Sequence, residues 1–174
     1  MSETTVRLMH YDPRWRQEFQ QTRSSVLQSC RGWVTQVEHI GSTAIPGLVA
    51  RPIIDLLAGV SGANEPSGIA QAAELLQGLN YRRTSGHSWA DHAVVLDKPR
   101  HGDPTHRIFL MPIDCPAWRQ AIRIRDLLKA TPELAIRFEE TKIARWRLRQ
   151  GDPDRYEADK SIFFAHLVDQ IDAI

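Results

Sequence analysis

The sequence predicts an α+β domain: a small mixed β-sheet with a helix before it and helices after it. Three observations lead there. Apolar residues recur near helical spacing from Trp15 to Cys30. Short apolar runs at 34–40, 52–60, 92–96 and 106–111 then read as strands. From Asp114 onward the pattern turns helical. The 174 residues contain no internal repeat or low-complexity segment. They suggest one domain over 1–174, on a prior of roughly 100–200 residues per domain.

Taken in order, Tyr11-Asp12-Pro13 is a turn into the first helix, with Asp12 as N-cap and Pro13 at the first helical position. Trp15, Phe19, Val26, Leu27 and Cys30 mark its apolar side. Val34 to Ile40 is a strand. Pro52 to Val60 is another, nearly unbroken in its apolar character, as for a strand buried on both faces. Ser61 to Ser67 is a loop rich in Gly, Asn and Pro. Ile69, Ala72, Ala73, Leu75, Leu76 and Leu79 form a helix that Asn80 ends. His92 to Leu96 and His106 to Met111 are strands, joined by a loop over Asp97 to Thr105. Three helices follow, over Pro116 to Ala130, Pro132 to Arg149 and Pro153 to Ile171. The prolines and Gly151 punctuate them.

Composition narrows the function. The formal net charge is +1, from 22 basic and 21 acidic residues, so a nucleic-acid partner is not expected. Cys30 and Cys115 are far apart and lack CxxC spacing, which fits reduced thiols in a cytoplasm rather than a disulfide framework or zinc ribbon. Met1 to Arg7 has no apolar run of the signal-peptide kind. No stretch approaches the roughly 20 apolar residues that span a bilayer. The expectation is a cytoplasmic protein with no membrane partner. Oligomeric state is not legible.

The chemistry concentrates in "EHIGSTAIPGLVARPIIDLLAGV", residues 38–60. Gly41 permits a sharp turn and close approach of backbone to a ligand. Ser42 and Thr43 add hydroxyls and successive N–H groups, which can cup a phosphate. Asp55 lies inside Ile53-Ile54-Asp55-Leu56-Leu57, where a charge is costly unless paired. Its partner would be a metal, a substrate, or a cation such as Arg51 or a helical arginine. A hard cation takes one or two carboxylates plus substrate phosphates. The Gly-Ser turn followed by Asp55 is therefore a minimal kit for metal-assisted phosphoryl or nucleotidyl transfer. The same residues also suit a plain turn and a buried ion pair. No Walker A or GxGxxG pattern is present.

His39 to Asp55, "HIGSTAIPGLVARPIID", resembles the signature of the GrpB family, which is placed in the DNA polymerase beta-like nucleotidyltransferase superfamily. The resemblance covers almost the whole chain. Tyr11 to Trp15 with Phe19 is similar to the family's opening, and Thr105-His106 to its Thr-His pair. Arg125-Asp126-Leu127-Leu128, Pro132-Glu133 and Lys142 resemble its next two helices, and Tyr156 with Lys160 its last. The resemblance implies a nucleotidyltransferase-like fold. It implies a Gly-Ser turn that binds triphosphate and, on the next strand, an Asp-x-Asp or Asp-x-Glu pair. That pair, often with a third carboxylate on a later strand, holds two metal ions.

Carried over, Gly41 and Ser42 become the phosphate turn, which Thr43 would extend, and Asp55 the first ligand of a metal, Mg²⁺ or Mn²⁺. The implied activity is transfer of a nucleotidyl group from a nucleoside triphosphate to an acceptor. The pattern departs at Leu57, which stands where the second acid belongs. Asp91, Asp97 and Asp103 are candidates to replace it. Phe109 stands where the family often has a histidine, and Arg51 where it usually has lysine.

His39, Asp55 and His106 form the candidate catalytic set. They would ligate a transition metal, serve as acid, base or substrate contact, or be structural residues. Arg51, Tyr156 and Lys160 are candidate phosphate contacts; Arg51 and Lys160 would neutralise developing charge. Trp15, Trp118 and Trp146 read as packing residues, and Trp89 as a candidate base-stacking residue. His87, His92 and His101 are expected in solvent. Loss of the second acid leaves two alternatives: a non-catalytic module for a nucleotide or phosphorylated metabolite, or a metal-dependent activity of His39, Asp55 and His106 that uses no nucleoside triphosphate.

Overall fold

In the computed structural model of the chain, which describes residues 7–61 and 66–148, a five-stranded sheet carries helices on both faces. Helix α1 spans Arg14–Ser29. Asp12 opens it as expected, one residue further out than a formal N-cap: its Oδ1 accepts from the Arg14 N–H at 2.9 Å and its carbonyl from the Trp15 N–H at 3.0 Å. Strand β1 follows at Val34–Ile40, then a single 3₁₀ turn at Ser42–Ala44 and strand β2 at Ile54–Val60. Helix α2 is Pro66–Gln77, and Asn80 beyond it takes the left-handed conformation, φ 69°. Strands β3, β4 and β5 are Arg82–Arg83, Val94–Lys98 and His106–Pro112. Helices α3, Pro116–Ala130, and α4, Pro132–Leu148, close the described chain. The helix expected over Pro153 to Ile171 lies outside the described residues.

The strand order is β1-β2-β5-β4-β3. β2 and β5 pair in parallel and every other neighbour is antiparallel, so the sheet is mixed as the sequence predicts. Two expectations shift. β4 begins two residues late and absorbs Asp97 and Lys98, which the sequence reading gives to a loop. β3 has only two residues, too few for a period-2 signal, and has no counterpart in the sequence reading.

Side chains alternate across the sheet, and the alternation sorts the core. Ile54, Leu56, Ala58, Val60, Ile108, Leu110, Leu96 and Val37 pack with Trp15, Phe19 and Val26 of α1 and Ala72, Ala73 and Leu76 of α2. On the other face Ile40, Leu57, Val95, Phe109 and Met111 pack under Trp118 and Ala121 of α3. A third cluster ties Ile45 and Leu48 of the β1–β2 connection to Ile124 and Leu128 of α3 and Phe138 of α4. Each fully buried aliphatic side chain contributes about 1.5–3 kcal/mol. The central strands can therefore carry a few charged positions without losing the fold. No described helix is long and apolar enough to cross a membrane.

Candidate functional site

The β1–β2 connection is pinned between the sheet and α3–α4 by the third cluster, and this sets Gly41 at the mouth of a cleft. Ile40, Gly41, Asp55, Arg107, Phe109, His87, Ser88 and Trp89 line it from the sheet side. Ala121, Ile124, Arg125, Leu128 and Phe138 line it from the helices. Gly41 has φ 74° and ψ −175°, a region that essentially only glycine adopts. A Cβ there would lie 2.5 Å from Asp55 Oδ2. The turn and the carboxylate are thus close neighbours.

Asp55 pairs in register with Arg107 of β5, and Arg107 with Asp97 of β4. The three side chains form a row on the cleft face. Arg107 grips Asp97 bidentately, Nε to Oδ1 at 2.7 Å and Nη2 to Oδ2 at 3.0 Å. Both are largely buried, at 13% and 5% side-chain exposure. Of the candidate replacement acids Asp91, Asp97 and Asp103, the fold puts Asp97 on this face. Leu57, two residues beyond Asp55, is fully buried in the core under α3.

Arg125 enters from α3. Its Nη1 donates to Glu38 Oε2 at 2.6 Å and to the His39 carbonyl at 3.3 Å, and its Nε donates to Asp126 Oδ1 at 2.8 Å. Across the cleft, Trp89 and His87 close on Phe109, with ring centroids 5.3 and 5.1 Å from it. His87 Nδ1 accepts from the Trp89 N–H at 3.1 Å, so its ring proton sits on Nε2. His87 is therefore half-buried in a cleft wall rather than in solvent as expected, while His92 and His101 are exposed.

The expected grouping of His39, Asp55 and His106 does not form. His39 pairs with Leu56 and His106 with Ile54, so both imidazoles project from the face opposite Asp55. His39 stacks on Phe19 of α1, centroids 4.6 Å apart. Its Nε2 lies 3.0 Å from Thr43 Oγ1, and that hydroxyl donates to the Ile53 carbonyl at 3.1 Å. With the hydroxyl proton committed, His39 must be the donor, a neutral Nε2–H tautomer. Burial first, then the charges of Lys129 and Arg125, push its pKa down to about 3. His106 repeats the arrangement, with Nδ1 2.8 Å from Thr105 Oγ1 while Thr105 donates to the Lys98 carbonyl at 3.3 Å. Burial, then Lys98, lowers its pKa as well.

Thr43 is thus spent on His39 and Ile53, and Ser42 is buried in the 3₁₀ turn. Arg51 is half-buried ahead of β2 and is not among the residues that line this cleft. Tyr156 and Lys160 lie outside the described residues. The sequence reading misses Arg107 and Glu38 as parts of the site. Only strand register reveals Arg107, because its strand is apolar on both faces around it.

The two-metal set that the resemblance implies does not fit the residues present. Leu57 replaces the second acid, Arg107 faces Asp55 from β5, and Asp97 is held by Arg107. Among the described residues no three His, Cys, Asp or Glu side chains converge as metal ligands.

The GrpB protein family profile matches residues 5–170. A UPF0157 protein of Pseudomonas aeruginosa is 29% identical over 165 residues, 94% of this chain and 66% of that protein. A UPF0157 protein of Halalkalibacterium halodurans is 34% identical over 91 residues, 52% of this chain and 45% of that protein. The match therefore spans less than two thirds of either relative's length. The glutamate-rich protein GrpB of Alkalihalophilus pseudofirmus is 25% identical, with 95% of each chain covered. The crystal structure of the conserved protein GrpB from Enterococcus faecalis superposes with a TM-score of 0.80 at 23% identity, covering 94% of this chain and 96% of that one, a likeness of fold. With a profile match running almost from end to end, the chain belongs to the GrpB family.

Proposed function

We propose that the cleft binds a phosphorylated small molecule with a planar apolar part, nucleotides being the natural class, and that the domain is a binding module. The observation that carries this is the opposition of Arg125 to an aromatic wall. Arg125 is fixed through Nε and Nη1 by Glu38, Asp126 and the His39 carbonyl, and its Nη2 makes no hydrogen bond among the described residues. Guanidinium N–H groups held in this way suit a phosphate. His87, Trp89 and Phe109 opposite suit a flat ring. The charged residues that line the cleft are Asp55, Arg107 and Arg125, and Asp97, Glu38 and Asp126 pair with the two arginines behind them, so little positive charge is left over. A phosphomonoester fits that balance better than a bare triphosphate does.

Metal-dependent nucleotidyl transfer with Mg²⁺ or Mn²⁺ is the second reading. It is supported by Asp55 and Asp97 lying on one sheet face, but it would require Arg107 to release Asp97. Calorimetric titration with phosphate, adenosine, AMP and ATP, with and without Mg²⁺, tests the proposal. AMP is expected to bind without metal and more tightly than phosphate or adenosine. Trp89→Ala should cost about 1–3 kcal/mol of that binding, the usual worth of a stacked base. Arg125→Ala should erase the difference between AMP and adenosine. ATP binding only with Mg²⁺ and only with Asp55 intact would instead support transfer. AMP binding indifferent to both substitutions, or no AMP binding, would sink the module reading.

A further inference from the structure

We propose that Arg107 is the resident cation of the cleft, a guanidinium lodged between Asp55 and Asp97 in the position that a divalent metal would otherwise take, and that this residue decides whether the site can bind metal. The proposal rests on the row geometry and not on the identity of any ligand.

Neighbouring strands lie about 4.8 Å apart, so side chains paired in register on one face reach one another. Asp55, Arg107 and Asp97 occupy successive strands in that register. The bidentate bond to Asp97 fixes the guanidinium plane, and the low exposure of both groups keeps the pair out of bulk water. A divalent ion at Asp55 would sit beside this fixed positive charge in a partly desolvated site, where repulsion is poorly screened. It would also have to take Asp97 from a charge-assisted, geometrically matched partner. Leu57 offers no ligand in compensation, since it is fully buried in the core. The sheet therefore provides two carboxylates suited to a hard cation and has already filled the space between them.

The converse follows from the same row. A carboxylate at 107 would put three acids on adjacent strands of one face. Like charges that close cannot all stay ionised without a counter-ion. Oxygen ligands in that arrangement are what Mg²⁺ or Mn²⁺ accepts. One substitution should then turn an ion-pair row into a metal site.

The probe is Mn²⁺ alone, with free ion read by electron paramagnetic resonance against wild type, Arg107→Asp, Arg107→Asn and Asp55→Asn. Wild type should leave the Mn²⁺ signal unchanged at millimolar metal. Arg107→Asp should take up one ion per chain at least about tenfold more tightly than wild type. Its melting temperature should rise with Mn²⁺, and adding Asp55→Asn should abolish both effects. Should Arg107→Asp fail to fold without metal, refolding that depends on Mn²⁺ supports the proposal. Arg107→Asn keeps a polar side chain without the charge and should bind Mn²⁺ more tightly than wild type. Stoichiometric Mn²⁺ binding by wild type that Asp55→Asn removes would overturn the proposal. So would folded Arg107→Asp and Arg107→Asn proteins that both ignore the metal. A failed AMP titration leaves these outcomes unaffected, so the two proposals fall separately.

Discussion

Gly41 answers two demands at once, and they can be measured apart. Its backbone sits at φ 74° and ψ −175°, and its missing Cβ leaves room for Asp55 Oδ2. The backbone demand alone is worth about 1–3 kcal/mol. Gly47 offers a control, with φ 82° and nothing within 4 Å of where its Cβ would stand. Gly47→Ala should cost only the left-handed penalty, about 1–2 kcal/mol. Gly41→Ala should cost more than that, because Asp55 must also move. In an Asp55→Ala background the excess should shrink, since the 2.5 Å contact has lost its oxygen. Urea midpoints of the four variants give the coupling. Equal costs for Gly41→Ala with and without Asp55 would show that the two residues do not press on each other. The sequence carries this pairing only in outline. A glycine before two hydroxyl residues and an aspartate in an apolar run are both visible in a string of letters. That the two touch is a product of the register between β1 and β2, where Ile40 pairs with Asp55.

At the scale of elements, the prolines made the helices readable and the sheet made its own edges hard to read. α3 has the expected limits because Pro116 opens it and Pro132 follows its end. β4 runs past its expected end because Asp97 is satisfied by Arg107 across the strand pair, a partner ten residues away that no local pattern reports. The sequence groups His39 and His106 with Asp55 because it does not show which face of the sheet each joins. β2 and β5 are largely apolar on both faces, and β1 mixes Thr35, Gln36, Glu38 and His39 with a register irregularity between Val34 and Gln36, so alternation cannot say which face a polar residue joins.

α4 carries a feature of this kind that fixes the cleft's outer wall. Glu139 Oε1 accepts from the Val49 N–H at 2.8 Å, and Lys142 Nζ donates to the Val49 carbonyl. Two side chains one turn apart thus hold both backbone groups of one residue in the β1–β2 connection. Lys142 is 5% exposed, and its Nζ lies 5.1 Å from the ring centre of Phe138, a residue of the cleft wall. Lys142→Met keeps the length and removes the donor. It should cost about 1–3 kcal/mol, the usual penalty for stranding a buried polar partner. Amide exchange of Val49 and its neighbours should speed up as well. Glu139→Gln keeps an acceptor and should cost less. A Lys142→Met protein as stable as wild type, with unchanged exchange at Val49, would show that α4 docks by its apolar residues alone.

Over the whole molecule, the sheet divides labour between its faces. One face carries His39, half-buried and stacked on Phe19 of α1, and His106, half-buried beside Thr105, and the other carries the charged row, of which Asp55 and Arg107 line the cleft. This division has a signature in stability against pH. Both histidines have folded-state pKa values below their ordinary 6.5, His39 at about 3. Between those values the unfolded chain binds a proton that the folded chain refuses. Stability from His39 is therefore full above about pH 6.5 and is lost as pH falls toward 3, with a limiting slope of about 1.4 kcal/mol per pH unit. His106 acts in the same direction. Protonating His39 would also put a charge beside Lys129 and Arg125, the two cations that already disfavour it. Urea midpoints between about pH 5 and 6.5 should fall steadily in wild type, above the range in which most carboxylates titrate. The fall should flatten in His39→Gln, which can still donate to Thr43 but cannot take a proton. His106→Gln should flatten it too, and the double variant most of all. Parallel slopes in wild type and His39→Gln would mean that His39 is accessible and ordinary in its titration. The brace from His39 through Thr43 to Ile53 would then have to give up its place beneath the Gly41 turn.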